Sequence, residues 1–188
     1  MKLSMMINYI SDFQSSAKQV VELEKVGLDM VWVAEAYSYD SISQIGYLAA
    51  VTNKLEIGTG IINVYSRTAS LTAMTAAGCD YVSNGRFILG LGASGPQVVE
   101  GFHGVAYEKP MQRIKEYIEV CREVWKREKG LSYTGQTVQV PLPAGQGRWP
   151  LSFGGESSAG AGPVTPLPAR ARDRAGRLRG MMATRPRI

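Results

Sequence analysis

Two short apolar runs constrain this chain more than any other feature: LEIGTGIIN from Leu55 and RFILGLGAS from Arg86. Each is apolar on consecutive residues rather than alternating, the pattern of strands buried on both faces. Each turns small and polar at its C-terminal end. The segment between them is rich in Ala, Leu, Met and Thr and has the length of one helix. Strand, helix, strand is the unit of a parallel sheet, with a right-handed connection. Gly58, Gly60, Gly90 and Gly92 fall inside or at the ends of these runs. Glycine weakens a strand, so its presence indicates that backbone or ligand comes close there. Leu55 to Gly95 therefore reads as the floor of a ligand site.

The remaining chain repeats the unit. Lys2 to Tyr9 suits a first strand, and Ser15 or Ser16 is placed to cap a helix running to Lys25 and stopped by Gly27. MVWVAE from Met30 is a second strand. Asp40 or Ser41 caps the next helix, ending near Asn53, and a third helix spans about Ala69 to Val82. Asn84-Gly85 turns the chain into the fourth strand, Phe87 to Ala93. An irregular loop leads to a helix over Lys109 to Lys129, where Met111, Ile114, Tyr117, Ile118, Cys121, Val124 and Trp125 recur at spacings of three and four. Tyr133 to Val140 reads as a small hairpin turning at Gly135. Four strand–helix units in succession give an α/β architecture with a parallel sheet; they do not separate a barrel from an open doubly wound sheet.

The formal charge of +5 suggests nucleic-acid binding until it is located. Up to Gly155 acids and bases balance. The excess comes from Arg170, Arg172, Arg174, Arg177, Arg179, Arg185 and Arg187 against Glu156 and Asp173. A nucleic-acid surface spreads its basic residues over a folded face, often with aromatics between them, and no aromatic follows Phe153. Residues 151–188 have neither helical nor strand period and contain no lysine; they read as a disordered, frameshifted or otherwise aberrant tail. Residues 1–150 form the domain. No signal-peptide pattern and no membrane-length apolar run occur, so a soluble, cytoplasmic protein is expected. One histidine and two distant cysteines, Cys79 and Cys121, do not supply a metal set.

At GTGIINVYSR, NGRFILGLGASG and GFHGVAYEKPMQRIKEYIEV the chain resembles the luciferase-like oxidoreductases, most of all the branch that uses the deazaflavin coenzyme F-420 in place of FMN. The resemblance covers about Met1 to Pro150. It implies a TIM (β/α)8 barrel with its site at the C-terminal ends of the strands. About the first four βα units of that barrel are represented. It further implies hydride transfer on a small organic substrate; an FMN-dependent monooxygenase is the alternative within the family. A half-barrel with two open edges is expected to form homo-oligomers, and an inactive, self-associating fragment is the alternative from another class.

The resemblance also assigns residues. A non-proline cis peptide is implied at Gly60-Ile61, with Ile61 backing the cofactor ring and Asn63 turned to its polar edge or ribityl chain. Spacing alone leaves a simple glycine kink equally open. Gly92, Ala93, Ser94 and Gly95 correspond to the family's phosphate loop; by itself this turn is a weak signal and not a dinucleotide fingerprint. Glu35, at the mouth end of the second strand, is a catalytic candidate. Alcohol- and sugar-phosphate-oxidising deazaflavin enzymes carry Asp-His at this place, and the Glu35-Ala36 found here lacks a base of suitable pKa. His103, the one histidine, is the second catalytic candidate, with a purely structural role open beside it. Arg67 is placed either to bind an anionic substituent or to be solvated. Tyr37, Tyr65 and Phe102 are candidates for an apolar pocket wall or for core.

Overall fold

The computed structural model describes residues 2–126 and 131–141. The arginine-rich tail, with its expected disorder, lies outside them.

Four parallel strands form the main sheet in the order β1 (Ser4–Ile7), β2 (Met30–Val33), β3 (Glu56–Thr59), β5 (Phe87–Ile88). Short strands β4 (Ile62–Asn63) and β6 (Leu91–Gly92) pair parallel with each other just beyond β3 and β5. The expected third and fourth strands thus exist, but each is broken in the middle. The connecting helices are α1 (Phe13–Lys25), α2 (Ser41–Val51) and α3 (Ala69–Val82), followed by a short α4 (Pro96–Val99) and a long α5 (Pro110–Lys126). Strands β7 (Tyr133–Thr134) and β8 (Gln139–Val140) make the antiparallel hairpin expected around Gly135.

Local chemistry sets the helix starts. Asp40 caps α2, accepting from the Ile42 and Ser43 amides. Thr68 caps α3. The first helix begins earlier than expected, because Asp12 accepts from the Gln14 amide and the Ser15 hydroxyl at the Ncap. Ser15 and Ser16 therefore lie inside α1: an aspartate was available three residues upstream and is an equally strong cap. The loop after β6 was expected to be irregular, but Pro96 starts the single turn α4, as proline does at a first helical position.

The register explains the composition of the two sheet faces. Ile7, Val31, Val33, Ile57 and Phe87 are buried against the helices in one core with Val20, Ile45, Leu48 and Ala73. The opposite face carries the register row Met6, Trp32, Gly58, Ile88. A Cβ on Gly58 would lie 2.4 Å from the Trp32 ring, so the glycine is what lets the indole lie across β3. A second apolar core, with Val64, Tyr117, Val120, Leu131 and Val138, joins α5 and the hairpin to the mouth of the sheet.

Two ionic groups, the buried Arg86 and the half-buried Glu24, tie the helix-to-strand turns at the other end. The Arg86 guanidinium donates to the carbonyls of Ala49, Thr52, Leu55 and Ser83 and to the Thr52 hydroxyl. Glu24 accepts from the amides of Asn53, Lys54 and Leu55.

Glu116, 1% exposed on α5, holds the hairpin. It accepts from the amides of Gln136, Thr137 and Val138, from the Thr137 hydroxyl and from the Gln112 side chain. Burial alone raises its pKa; these hydrogen bonds outweigh burial and lower it from 4.5 to about 2. A carboxyl held low in the folded state contributes stability that is complete above its ordinary value and lost as pH falls through the folded one. Thermal unfolding followed from pH 7 to 2 is therefore expected to show a loss of stability between about pH 4.5 and 2, reduced in Glu116→Gln. That variant is expected to be about 2 kcal/mol less stable at neutral pH, since it leaves buried donors unpaired. Gly135→Ala is expected to cost about 1–3 kcal/mol in the same measurement, because its Cβ would lie 2.5 Å from the Glu116 carboxyl carbon.

Candidate functional site

The two broken strands meet at their mouth end. The Gly60-Ile61 peptide, between β3 and β4, is cis. At the end of β3 the Thr59 hydroxyl donates to the carbonyl of Gly90 on the neighbouring strand and accepts from the Gly90 amide, at 2.9 and 2.8 Å. It thereby satisfies the backbone where β5 gives way to β6. A Cβ at residue 90 would lie 2.0 Å from the Thr59 carbonyl oxygen, and one at residue 92 would lie 2.9 Å from the Ile61 side chain. Gly90 and Gly92 are glycines because the bulge leans on them. Ile61 therefore lies over Gly92, and the structure brings Gly60, Ile61, Gly92 and Ala93 into one patch.

Asn63 follows the bulge on β4 and is 3% exposed. Its Oδ1 accepts from the Tyr65 amide, which fixes the orientation of the side-chain amide. Its Nδ2 is buried without a hydrogen-bond partner, a condition shared by no other side-chain nitrogen or oxygen among the described residues. Such a donor costs about 1–3 kcal/mol until something accepts from it.

Ser94 adopts a left-handed backbone, φ 57°, and its side chain is exposed. Its carbonyl accepts from the Tyr107 hydroxyl, and Gly95 begins the turn into α4. The GASG loop is thus held from behind by Tyr107, whose ring packs on Tyr65 at 5.4 Å. The Tyr65 hydroxyl donates to the Glu108 carbonyl, and the Arg113 guanidinium lies 4.7 Å over its ring. Tyr65 is therefore a core residue of this support and not a pocket wall. Tyr107 and Arg113 were not legible in the sequence as support; both act on backbone carbonyls and rings from distant elements, which leaves no local pattern.

Glu35 lies just past β2, on a side chain 9% exposed. Its Oε1 accepts from Arg67 Nη1 at 2.5 Å, and its Oε2 from Arg67 Nη2, the Ser41 amide and the Ser41 hydroxyl. Burial raises its pKa, but the Arg67 and Ser41 hydrogen bonds and the Arg67 charge more than offset this and leave it below the ordinary carboxylate value. Arg67 is neither solvated nor free for an anion: this pair, with Asp40 at 4.0 Å, engages it. An ionised carboxylate with both oxygens committed is an anchor, not the setting of a general base. It joins the loop after β2 to the loop after β4.

His103 sits half-buried in the loop after α4, its ring edge-on to Phe102 at 5.1 Å. Phe102 in turn meets Tyr37, and Tyr37 meets Tyr9. Among the described residues no hydrogen bond or ion pair joins Glu35 to His103, so the two catalytic candidates are not a bonded pair. Cys79 and Cys121 are buried and free, and burial pushes their thiols up to about 11 and about 12.

Residues 1–162 match the luciferase-like monooxygenase family. A protein of Mycobacterium tuberculosis named as a coenzyme F-420-dependent oxidoreductase is 39% identical over 144 residues, covering 76% of this chain and 42% of that protein. Among solved structures, the coenzyme F-420-dependent tetrahydromethanopterin reductase of Methanopyrus kandleri superposes with a TM-score of 0.66 at 23% identity, over 74% of this chain and 44% of that one. The oxygenating component of the diketocamphane monooxygenase of Pseudomonas putida, with FMN, gives 0.66 at 18% identity, over 76% and 44%. The chain thus spans less than half the length of each of these proteins. Four βα units in barrel order, a stepped third strand leaning on glycines of the fourth, and the match over residues 1–162 lead to one conclusion: the chain belongs to the luciferase-like family, and its fold is the TIM-barrel type of that family.

Proposed function

We propose that this chain supplies the cofactor-holding part of an oxidoreductase that moves hydride between the deazaflavin coenzyme F-420 and a small organic substrate. One observation carries the reading. Asn63 Nδ2 is a buried donor without an acceptor, two residues from a bulge whose Ile61 side chain rests on a glycine. The residues fit a flat ring with a polar edge: Gly60 and Ile61 offer an apolar back, and Asn63 offers the missing donor. Gly92, Ala93, Ser94 and Gly95 present a small-residue loop, with Ser94 exposed, to the cofactor's phosphate-bearing arm. The relative named for coenzyme F-420 supports deazaflavin over FMN.

The deazaflavin, when bound, supplies the hydride chemistry. The chain's residues orient and enclose it. Ile61 excludes water from one ring face, and Asn63 fixes the ring's rotation. The Glu35–Arg67 pair keeps the loops after β2 and β4 in register, so Glu35 acts by positioning. His103 remains the group available to hand on a proton at the substrate side, its imidazole having no hydrogen-bond partner among the described residues.

Absorbance titration of the full chain with oxidised coenzyme F-420 and, separately, FMN tests the reading. Saturable deazaflavin binding, with FMN at least about tenfold weaker (about 1.4 kcal/mol), is expected. Asn63→Asp retains the acceptor for the Tyr65 amide and loses the donor; it is expected to weaken deazaflavin binding about tenfold or more. Equal binding by this variant and the parent would sink the assignment. Glu35→Gln is expected to lower stability by about 2–4 kcal/mol, as removal of one partner from a largely buried pair does, read as a fall in thermal midpoint.

A further inference from the structure

Three aromatic rings at the mouth, Tyr9, Tyr37 and Phe102, have no role in the cofactor reading and form a row that ends on His103. Tyr9 follows β1, Tyr37 follows β2, and Phe102 and His103 follow α4. Their rings meet edge to face in succession, at 5.8, 6.2 and 5.1 Å. The strand order makes this arrangement informative. The third barrel strand (β3 with β4) lies between β2 and the fourth (β5 with β6), so a contact from the loop after β2 to the loop after α4 has to pass across the end of the stepped strand. The row therefore runs along the mouth on the same end as the bulge, where ligands bind in parallel α/β folds.

Rings this large are ordinarily spent on core, yet Tyr37 is 55% and Phe102 59% exposed. Core aromatics of this chain are handled differently: Tyr65 and Tyr117 have their hydroxyls bonded to backbone carbonyls. Among the described residues the Tyr9 and Tyr37 hydroxyls and the His103 imidazole have no hydrogen-bond partner. The row thus combines exposed ring faces with uncommitted polar tips. An aliphatic chain would use the faces and waste the tips, and the nearby Arg67 and Glu35 charges are committed to each other.

We infer that the substrate carries a planar aromatic or heteroaromatic ring with an oxygen or nitrogen acceptor, and that Tyr37 and Phe102 recognise its face while a phenol hydroxyl or the imidazole recognises its polar edge. The inference rests on the reading of the site as an oxidoreductase's and names its substrate class.

The test uses the full chain and two neutral probes. Carbostyril is a flat bicyclic lactam, and its decahydro analogue has the same amide without the aromatic ring. Binding is followed by saturation-transfer NMR and tryptophan fluorescence, with deazaflavin absorbance titrated in parallel. Carbostyril is expected to bind about three- to tenfold tighter than the decahydro analogue, the range that one or two aromatic contacts supply. Phe102→Ala and Tyr37→Leu are each expected to remove about the same factor, and Tyr37→Phe a smaller part of it. Deazaflavin affinity and thermal midpoint stay unchanged in all three, since both side chains are exposed. Three results overturn the inference: no carbostyril binding, equal affinity for the two probes, or full carbostyril affinity in both Phe102→Ala and Tyr37→Leu. Carbostyril binding that depends on these rings, in a chain that takes up no deazaflavin, would overturn the cofactor reading and leave the ring site standing.

Discussion

Everything at the mouth of this fold depends on one hydroxyl. Thr59 both donates to and accepts from the backbone of Gly90, at the point where two neighbouring strands leave their common ladder. Breaking a parallel ladder in the interior of a sheet strands polar backbone groups, and each such group is costly unless paired. With the Thr59 hydroxyl bonded to both Gly90 groups and the Ile62 amide donating to the same carbonyl, β3 can step at Gly60-Ile61 and resume as β4 beside β6. The step then aims Ile61 at Gly92 and turns Asn63 inward. The glycines and the threonine form a single device, since a methyl group at residue 90 would collide with the same Thr59 whose hydroxyl completes the bonding.

The mouth is held in place from two sides. From the outside, Arg113 packs on the Tyr65 ring and donates to the Val64 carbonyl, and Tyr107 reaches the Ser94 carbonyl. From the β2 side, Glu35 grips Arg67. Each contact crosses from one loop to another, so the loops after β2, β4 and β6 are positioned as a group. This is the rigid support that a site needs when its ligand is large and flat and when small misplacements are expensive.

Much of the architecture was legible in the sequence, because it rests on local patterns. The apolar runs mark the strands, Asp40 marks the start of the second helix, and the third helix has the expected bounds. The cis step at Gly60-Ile61 is implied by the family resemblance, which local motifs carry, while spacing alone leaves a simple glycine kink equally open. What escaped was contact between distant residues. Glu35 reads as a catalytic candidate because it ends the second strand at the mouth; its partner Arg67 stands 32 positions away. Along the chain Tyr65 suits a pocket wall and the core equally; the bond from its hydroxyl to a carbonyl 43 residues on decides for the core. The row from Tyr9 to His103 joins three loops and has no sequence signature.

At the opposite pole the bonding follows a different rule. Arg86 and Glu24 hold the turns there almost wholly through main-chain carbonyls and amides, and peptide groups are common to all residue types. These bonds place no demand on side-chain identity, so the constraint on the turns comes from the burial of Ala49, Thr52, Leu55 and Ser83 and from the Thr52 hydroxyl. A frame whose fastening ignores the identity of what it fastens lets new chemistries be tried at the other end without being rebuilt.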